Sequence, residues 1–170
     1  MHRRVMVAID PRTTPGPAVE EAAVLARAHA AELVIGVAYA DRKTSEERRI
    51  YAEAPARHQW RLSPGVLAEH AANAAVERAR EHAGDSVVIR AHCEPGKTVQ
   101  VLMQMVEDLE VDVLVLDVRP GHGAYALTPR AAKALARKAQ CEVAGAGVGA
   151  ALPVAPQAGT VADSGALRLS

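Results

Sequence analysis

The chain has 170 residues, with 20 Lys+Arg against 20 Asp+Glu and a formal net charge of zero. That length suits one domain burying about two thirds of its unfolded surface, and 49% hydrophobic with 24% charged residues excludes wholesale disorder. Balanced charge gives no electrostatic reason to expect nucleic acid or an anionic membrane as partner; aromatics at 2%, with no Phe, leave packing to aliphatic and Ala side chains.

Val5-Met6-Val7-Ala8-Ile9, ended by Asp10-Pro11, predicts a strand covered on both faces, because such strands lose the alternating pattern. The loop 11–17 holds three prolines and a glycine, which neither a helix nor a central strand tolerates. Ala18–Ala31 reads as a helix with Glu20 and Glu21 in its first turn, where the dipole favours anions. Leu33-Val34-Ile35-Gly36-Val37 is a second buried strand. From Ala40 to Pro64 the sequence is charged and reads as a long irregular lid or binding loop. Its Arg48, Arg49, Arg57 and Arg61 beside Trp60 suggest a nucleic-acid surface only until the interleaved Glu46, Glu47 and Glu53 are counted.

Ser63-Pro64 carries the signature of an N-cap followed by Pro at the first helical position, opening a helix that reaches about His82 and stops at Gly84. Val87-Val88-Ile89 predicts a third strand, and Pro95-Gly96 leads to a helix striped by Val99, Leu102, Met103, Val106 and Leu109. Val113–Leu116 is the most apolar strand and ends at Asp117; Pro120-Gly121-His122-Gly123 forms a loop. Ala132, Leu135, Ala136 and Ala139 repeat with helical spacing, and Cys141–Val148 is a weak last strand. Residues 1–150 make one domain, and 151–170, rich in Pro, Ala, Gly and Ser, a flexible tail.

This order of five strands alternating with four helices predicts an α/β, doubly wound, Rossmann-like parallel sheet with helices on both faces. Ligands of such sheets bind outside the carboxyl ends of the strands, where strand order reverses. Cys93 and Cys141 match no metal spacing, and no apolar run approaches ~18 residues. The expectation is a reduced, cytoplasmic protein that neither spans a membrane nor carries a leader.

With this order in place, the chain resembles the universal stress protein family. The resemblance rests on Val-Met-Val-Ala-Ile-Asp at 5–10, Glu-Glu-Ala-Ala-Val-Leu-Ala-Arg at 20–27 and Ala-Glu-Leu-Val-Ile-Gly-Val at 31–37. It rests also on Pro95, on Val111–Leu116 and on Ala-Lys-Ala-Leu-Ala-Arg-Lys-Ala-Gln-Cys-Glu-Val at 132–143. It implies a sheet ordered 3-2-1-4-5, frequent homodimers joined through the last strand, and ATP held by an Asp after the first strand and a Gly-x2-Gly-x9-Gly-Ser/Thr motif after the fourth.

Carried over residue by residue, the implied nucleotide contacts are Asp10, Ala38, Asp117, Arg119, Gly121, Gly123, Thr128 and Arg130. The phosphate motif is degenerate. Asp117 stands where its first Gly belongs, Pro120 where its second does (with Gly121 beside it), and Thr128-Pro129 replaces its Gly-Ser/Thr pair. Pro120 and Pro129 donate no amide hydrogen bond, and Asp117 places a negative charge where phosphate approaches. Two donors lost at about 1–3 kcal/mol each, plus that repulsion, weaken triphosphate binding by orders of magnitude.

Other candidates are weighed alongside. Gly96-Lys97-Thr98 imitates the end of a P-loop, but Ala91 stands where the loop requires Gly. Asp10 and Asp117, at the ends of strands made adjacent by the implied order, lie about 5 Å apart if level and are a candidate Mg²⁺ site. The bland alternative has Asp10 capping loop amides and Asp117 pairing with Arg119 or Arg130. His29, His70 and His82 do not share a face with a third ligand. Cys93 is either a buried thiol or one activated by adjacent His92.

The sequence therefore predicts a regulatory stress-response module rather than an enzyme. It would bind ATP or AMP weakly or not at all and act through an unidentified protein partner. One alternative is an ATP-binding, slowly hydrolysing protein using Gly121, Gly123 and Thr128 in a shifted register; another is a metal-dependent enzyme centred on Asp10 and Asp117.

Overall fold

A computed structural model describes residues 3–12, 16–40, 45–59, 63–117 and 129–146. Its centre is three apolar strands, β1 (Arg4–Ile9), β2 (Glu32–Tyr39) and β4 (Val113–Asp117). β3 (Ile89–Pro95) and β5 (Glu142–Ala146) complete a five-stranded, all-parallel sheet in the order β3-β2-β1-β4-β5. The predicted 3-2-1-4-5 order is therefore the observed one.

Helices cover both faces. On one side α1 (Pro17–Ala28) and α4 (Pro64–Ala83) pack over Val5, Val7, Leu33, Ile35, Val37 and Val115. On the other, α5 (Thr98–Asp108) and α6 (Pro129–Lys138) lie with Met6, Ala8, Val34, Leu114 and Leu116. Each fully buried aliphatic side chain contributes about 1.5–3 kcal/mol. Small residues replace aromatic bulk. Ala22, Ala23 and Ala26 of α1 and Ala68, Ala72, Ala75 and Ala79 of α4 are all buried, which lets both helices lie close to the sheet and to each other.

The Ser63 hydroxyl accepts from the Val66 amide at 3.3 Å, so the predicted N-cap of α4 is formed, and Gly84 ends that helix at φ 73°. α1 stops three residues before the predicted end. Ala30 turns left-handed at φ 49°, and the Ala31 amide reaches back to the Ala26 carbonyl at 2.8 Å. α5 ends the same way, with Glu110 at φ 48° and the Val111 amide on Val106.

Two expectations need correction. The third strand runs Ile89–Pro95 rather than Val87–Ile89. As an edge strand it is only partly covered, so its apolar residues alternate with Arg90, His92 and Glu94, and exposed Val88 precedes it. Second, 40–64 is not irregular, because α2 (Ser45–Glu53) and α3 (Ala56–Gln59) form there. None of their described side chains is buried. α2 is supported by local pairs instead: Arg49 to Glu53 at 3.9 Å and Arg48 to Ser45 at 3.3 Å. Trp60 and Arg61 lie outside the described residues. The predicted stripe of α5 does face the core, with Leu102 and Val106 buried and Val99, Met103 and Leu109 packed against them, and Met105 joins it.

Candidate functional site at the carboxyl rim of the sheet

The strand order reverses between β1 and β4, so the crevice there is where this architecture receives ligands. β1 gives way to Asp10, whose Oδ1 accepts from the Arg12 amide at 2.8 Å. This turn, closed by an Asp side chain, folds the chain back over the rim. On β2, Val37 is level with Ile9, which brings the next residue, Ala38, level with Asp10. Ala38 is buried on the α5/α6 side.

On the other flank Ala8 pairs with Leu116. Asp117 follows Leu116 directly while Asp10 is two residues past Ala8, so the two acidic positions are offset by one residue along adjacent strands. Asp117 is paired through its backbone to Ala146 of β5. Arg130 lies in the first turn of α6. Arg119, Gly121, Gly123 and Thr128 fall outside the described residues, as does the rest of 118–128. The structure thus gathers Asp10, Ala38 and Asp117 at one rim. Among the described residues, no three His, Cys, Asp or Glu side chains gather as a metal site.

A feature the sequence reading missed lies on the opposite face of the same rim. Pro11, Arg12, Tyr39, Ala40, Pro64 and Leu67 line a shallow, largely apolar cleft. Tyr39 seats the start of α4, where a Cβ on Gly65 would stand 3.4 Å from the Tyr39 hydroxyl. Its lining comes from three separate stretches of chain. Only the punctuating prolines, read as breaks rather than as walls, hinted at it.

The remaining candidates resolve simply. Gly96-Lys97-Thr98 is the entry to α5, with the Gly96 amide donating to the Tyr39 carbonyl at 2.9 Å. Both cysteines are free thiols. Burial raises the Cys93 pKa, with Glu69 and Glu94 adding to the effect, and Cys93 packs with the α1/α4 core while strand alternation sends His92 to the other face. His92 therefore does not activate it. Burial pushes the Cys141 thiol up to about 11. His29 and His70 are exposed, and half-buried His82 lies 3.8 Å from Glu20. Glu20 itself takes the Arg78 guanidinium, Nε at 2.9 Å, tying α1 to α4.

A parallel sheet with this order and an Asp closing β1 define a doubly wound α/β protein. The model of the universal stress protein family matches residues 1–144, and the chain belongs to that family. A search of curated proteins found no match. Among solved structures, universal stress protein UspA from Lactobacillus plantarum is 17% identical with a TM-score of 0.60, the match covering 85% of this chain and 97% of that one. The universal stress protein from Archaeoglobus fulgidus in complex with dAMP is 15% identical with a TM-score of 0.59, covering 85% and 97%. A family member from Arabidopsis thaliana with AMP bound is 16% identical with a TM-score of 0.54, covering 84% and 90%. At such identities the likeness is one of fold. No described helix is long and apolar enough to cross a membrane.

Proposed function

We propose that the protein is a regulatory stress-response module, not an enzyme, whose rim pocket keeps its adenosine side but has lost most of its grip on a triphosphate. The observation that carries this reading is Asp117, at the carboxyl end of β4 beside the reversal, where the family pattern has glycine. A carboxylate there repels phosphate, and Pro120 removes a backbone donor a few residues on. Asp10 and Ala38, level with each other across β1 and β2, remain suited to a sugar hydroxyl and a flat base: one offers an acceptor, the other a small apolar floor. Relatives of the same fold were solved with AMP and dAMP, which supports an adenine nucleotide as ligand class.

On this reading residues 1–150 form the working domain and 151–170 an appended tail. The output is contact with a protein partner, made through 40–64 and 117–130, in the cytoplasm. Thr128, Arg119 and Arg130 supply what phosphate contacts remain, and Gly121 and Gly123 the flexible backbone of that loop. The test has two arms. Purified protein is heated and the released nucleotide measured, and ATP with Mg²⁺ and AMP are titrated calorimetrically. The proposal expects substoichiometric release, and ATP bound no more tightly than AMP. A near-stoichiometric adenine peak with tight ATP binding favours the shifted-glycine alternative. Heat on adding Mg²⁺ alone, lost in Asp10→Asn, favours a metal site.

A further inference from the structure

The zero net charge of the chain conceals one segregated surface, the outer face of α6. Arg130, Lys133, Arg137 and Lys138 are the charged residues of this helix, and it holds no carboxylate. Leu135 is fully buried and Ala136 and Ala139 pack into the same core, so the apolar side of the helix is taken up by the sheet and α5. Lys133 and Arg137, one turn apart, share the opposite side, where both are exposed, and Lys138 is exposed beside them. None of these three, nor exposed Glu142 just beyond them, has an ion pair among the described residues. The other helices balance charge locally: Arg49 takes Glu53, Arg80 takes Glu77, and Arg78 takes Glu81 and Glu20. The helix dipole accounts for Arg137 and Lys138 in the last turn of α6. It does not account for Lys133 at mid-helix, nor for Arg130 in the first turn, where a carboxylate would be favoured.

We propose that α6 is a docking face for an acidic helix of another protein, laid along it so that carboxylates one turn apart meet Lys133 and Arg137, with Lys138 alongside. Charge complementarity selects the chemistry and helical pitch selects the form. Successive turns repeat about every 5.4 Å, so carboxylates at i and i+4 of a partner helix reproduce the spacing of Lys133 and Arg137. A nucleic acid is disfavoured by the small number of cations and by the absence of any aromatic on α6 against which a base could stack. An anionic membrane is disfavoured because an interfacial helix must offer its apolar face to lipid, and that of α6 is already buried in the core. Exposed ion pairs are individually weak, so the contact is transient and salt-sensitive, and its specificity lies in the spacing. The inference adds a surface to the contact segments 40–64 and 117–130. It rests on the proposed function only for the existence of a protein partner, and since its test uses no nucleotide, either reading can fail without the other.

The probe is a fluorescent peptide, stapled into a helix, with Glu at i, i+4 and i+8 along one face; a control peptide carries the same three Glu spread around the helix. Anisotropy is followed with the full chain at about 0.01 M and about 0.15 M salt, where the Debye lengths are about 30 and 8 Å. The wild type is expected to bind the first peptide about fivefold more tightly than the control and to lose most of that binding at the higher salt. Lys133→Gln combined with Arg137→Gln touches no internal pair and should weaken binding about tenfold, with the circular dichroism unchanged. Lys133→Glu combined with Arg137→Glu should reverse the preference and take the same peptide carrying Lys in place of Glu. No binding at the lower salt overturns the proposal, as does equal affinity for the two acidic peptides or indifference to the Gln variant. A single-stranded RNA or a phosphatidylserine vesicle bound more tightly through the same two residues overturns it in favour of a nucleic acid or a membrane. Self-association of the chain that the Gln variant abolishes overturns it in favour of a second copy.

Discussion

The two rims of the sheet are built differently. At the amino rim the Glu32 carboxylate is shared by Arg4 at 3.1 Å and Arg90 at 2.7 Å, joining β1, β2 and β3. Arg4 also donates to the Leu109 carbonyl at 2.6 Å, its amide donates to Asp112 at 2.8 Å, and the Glu142 amide to the Asp112 carbonyl at 3.0 Å. All five strands are tied by these links. Among the described residues, the carboxyl rim carries local side-chain bonds, with the Arg12 amide donating to Asp10 and the Val66 amide to Ser63. We propose that the amino rim holds the fold while the carboxyl rim can change without unfolding it. On the proposed function, a degenerate phosphate motif is compatible with an unchanged architecture, because its residues would carry ligand chemistry and little of the stability.

This contrast can be broken most directly at Glu32. Glu32→Ala leaves half-buried Arg4 without its carboxylate and releases exposed Arg90, and urea denaturation should show a loss of about 2 kcal/mol, mostly from Arg4, with nucleotide affinity unchanged. At the opposite rim, Asp117→Gly combined with Pro120→Gly removes a repulsive charge and restores a donor. ATP affinity should rise at least tenfold, about 1.4 kcal/mol, with the urea midpoint almost unmoved. A large stability change in that double variant would erase the distinction. Smaller still, Ser63→Ala removes the cap of α4 at the carboxyl rim and should cost about 1 kcal/mol.

The smallest effect concerns the thiols. Cys141, pushed up to about 11 by burial, should resist iodoacetamide at neutral pH and react faster as pH climbs toward that value. The sign for stability follows. The native thiol keeps a proton that the unfolded chain releases, so its contribution is fully present below the usual thiol range and is lost as pH rises toward 11.

How far the sequence disclosed all this depends on what each segment buries. β1, β2 and β4 were legible because strands covered on both faces become apolar runs, and Ser63-Pro64 because a cap is a local event. β3 was displaced because an edge strand interleaves Arg90, His92 and Glu94 with its apolar residues, while Val87-Val88 imitates a core run. α2 escaped because its helix rests on Arg49–Glu53 and similar pairs rather than on an apolar stripe. Asp10, Ala38 and Asp117 were nominated by resemblance, yet only the register sets Asp10 level with Ala38 and one residue out of step with Asp117. The cleft of Pro11, Tyr39, Pro64 and Leu67 was illegible for the same reason: pairing partners are not written in period or composition.

On the proposed function, Asp117 and its loop have spoiled the anion cradle of an otherwise intact rim. Isothermal titration of the wild-type chain with ATP and Mg²⁺, beside the Asp117→Gly/Pro120→Gly variant, tests it most directly. The account predicts weak binding, high micromolar or poorer, that tightens at least tenfold in the variant. Nanomolar binding by the wild-type chain, or a variant that binds no better, would contradict it.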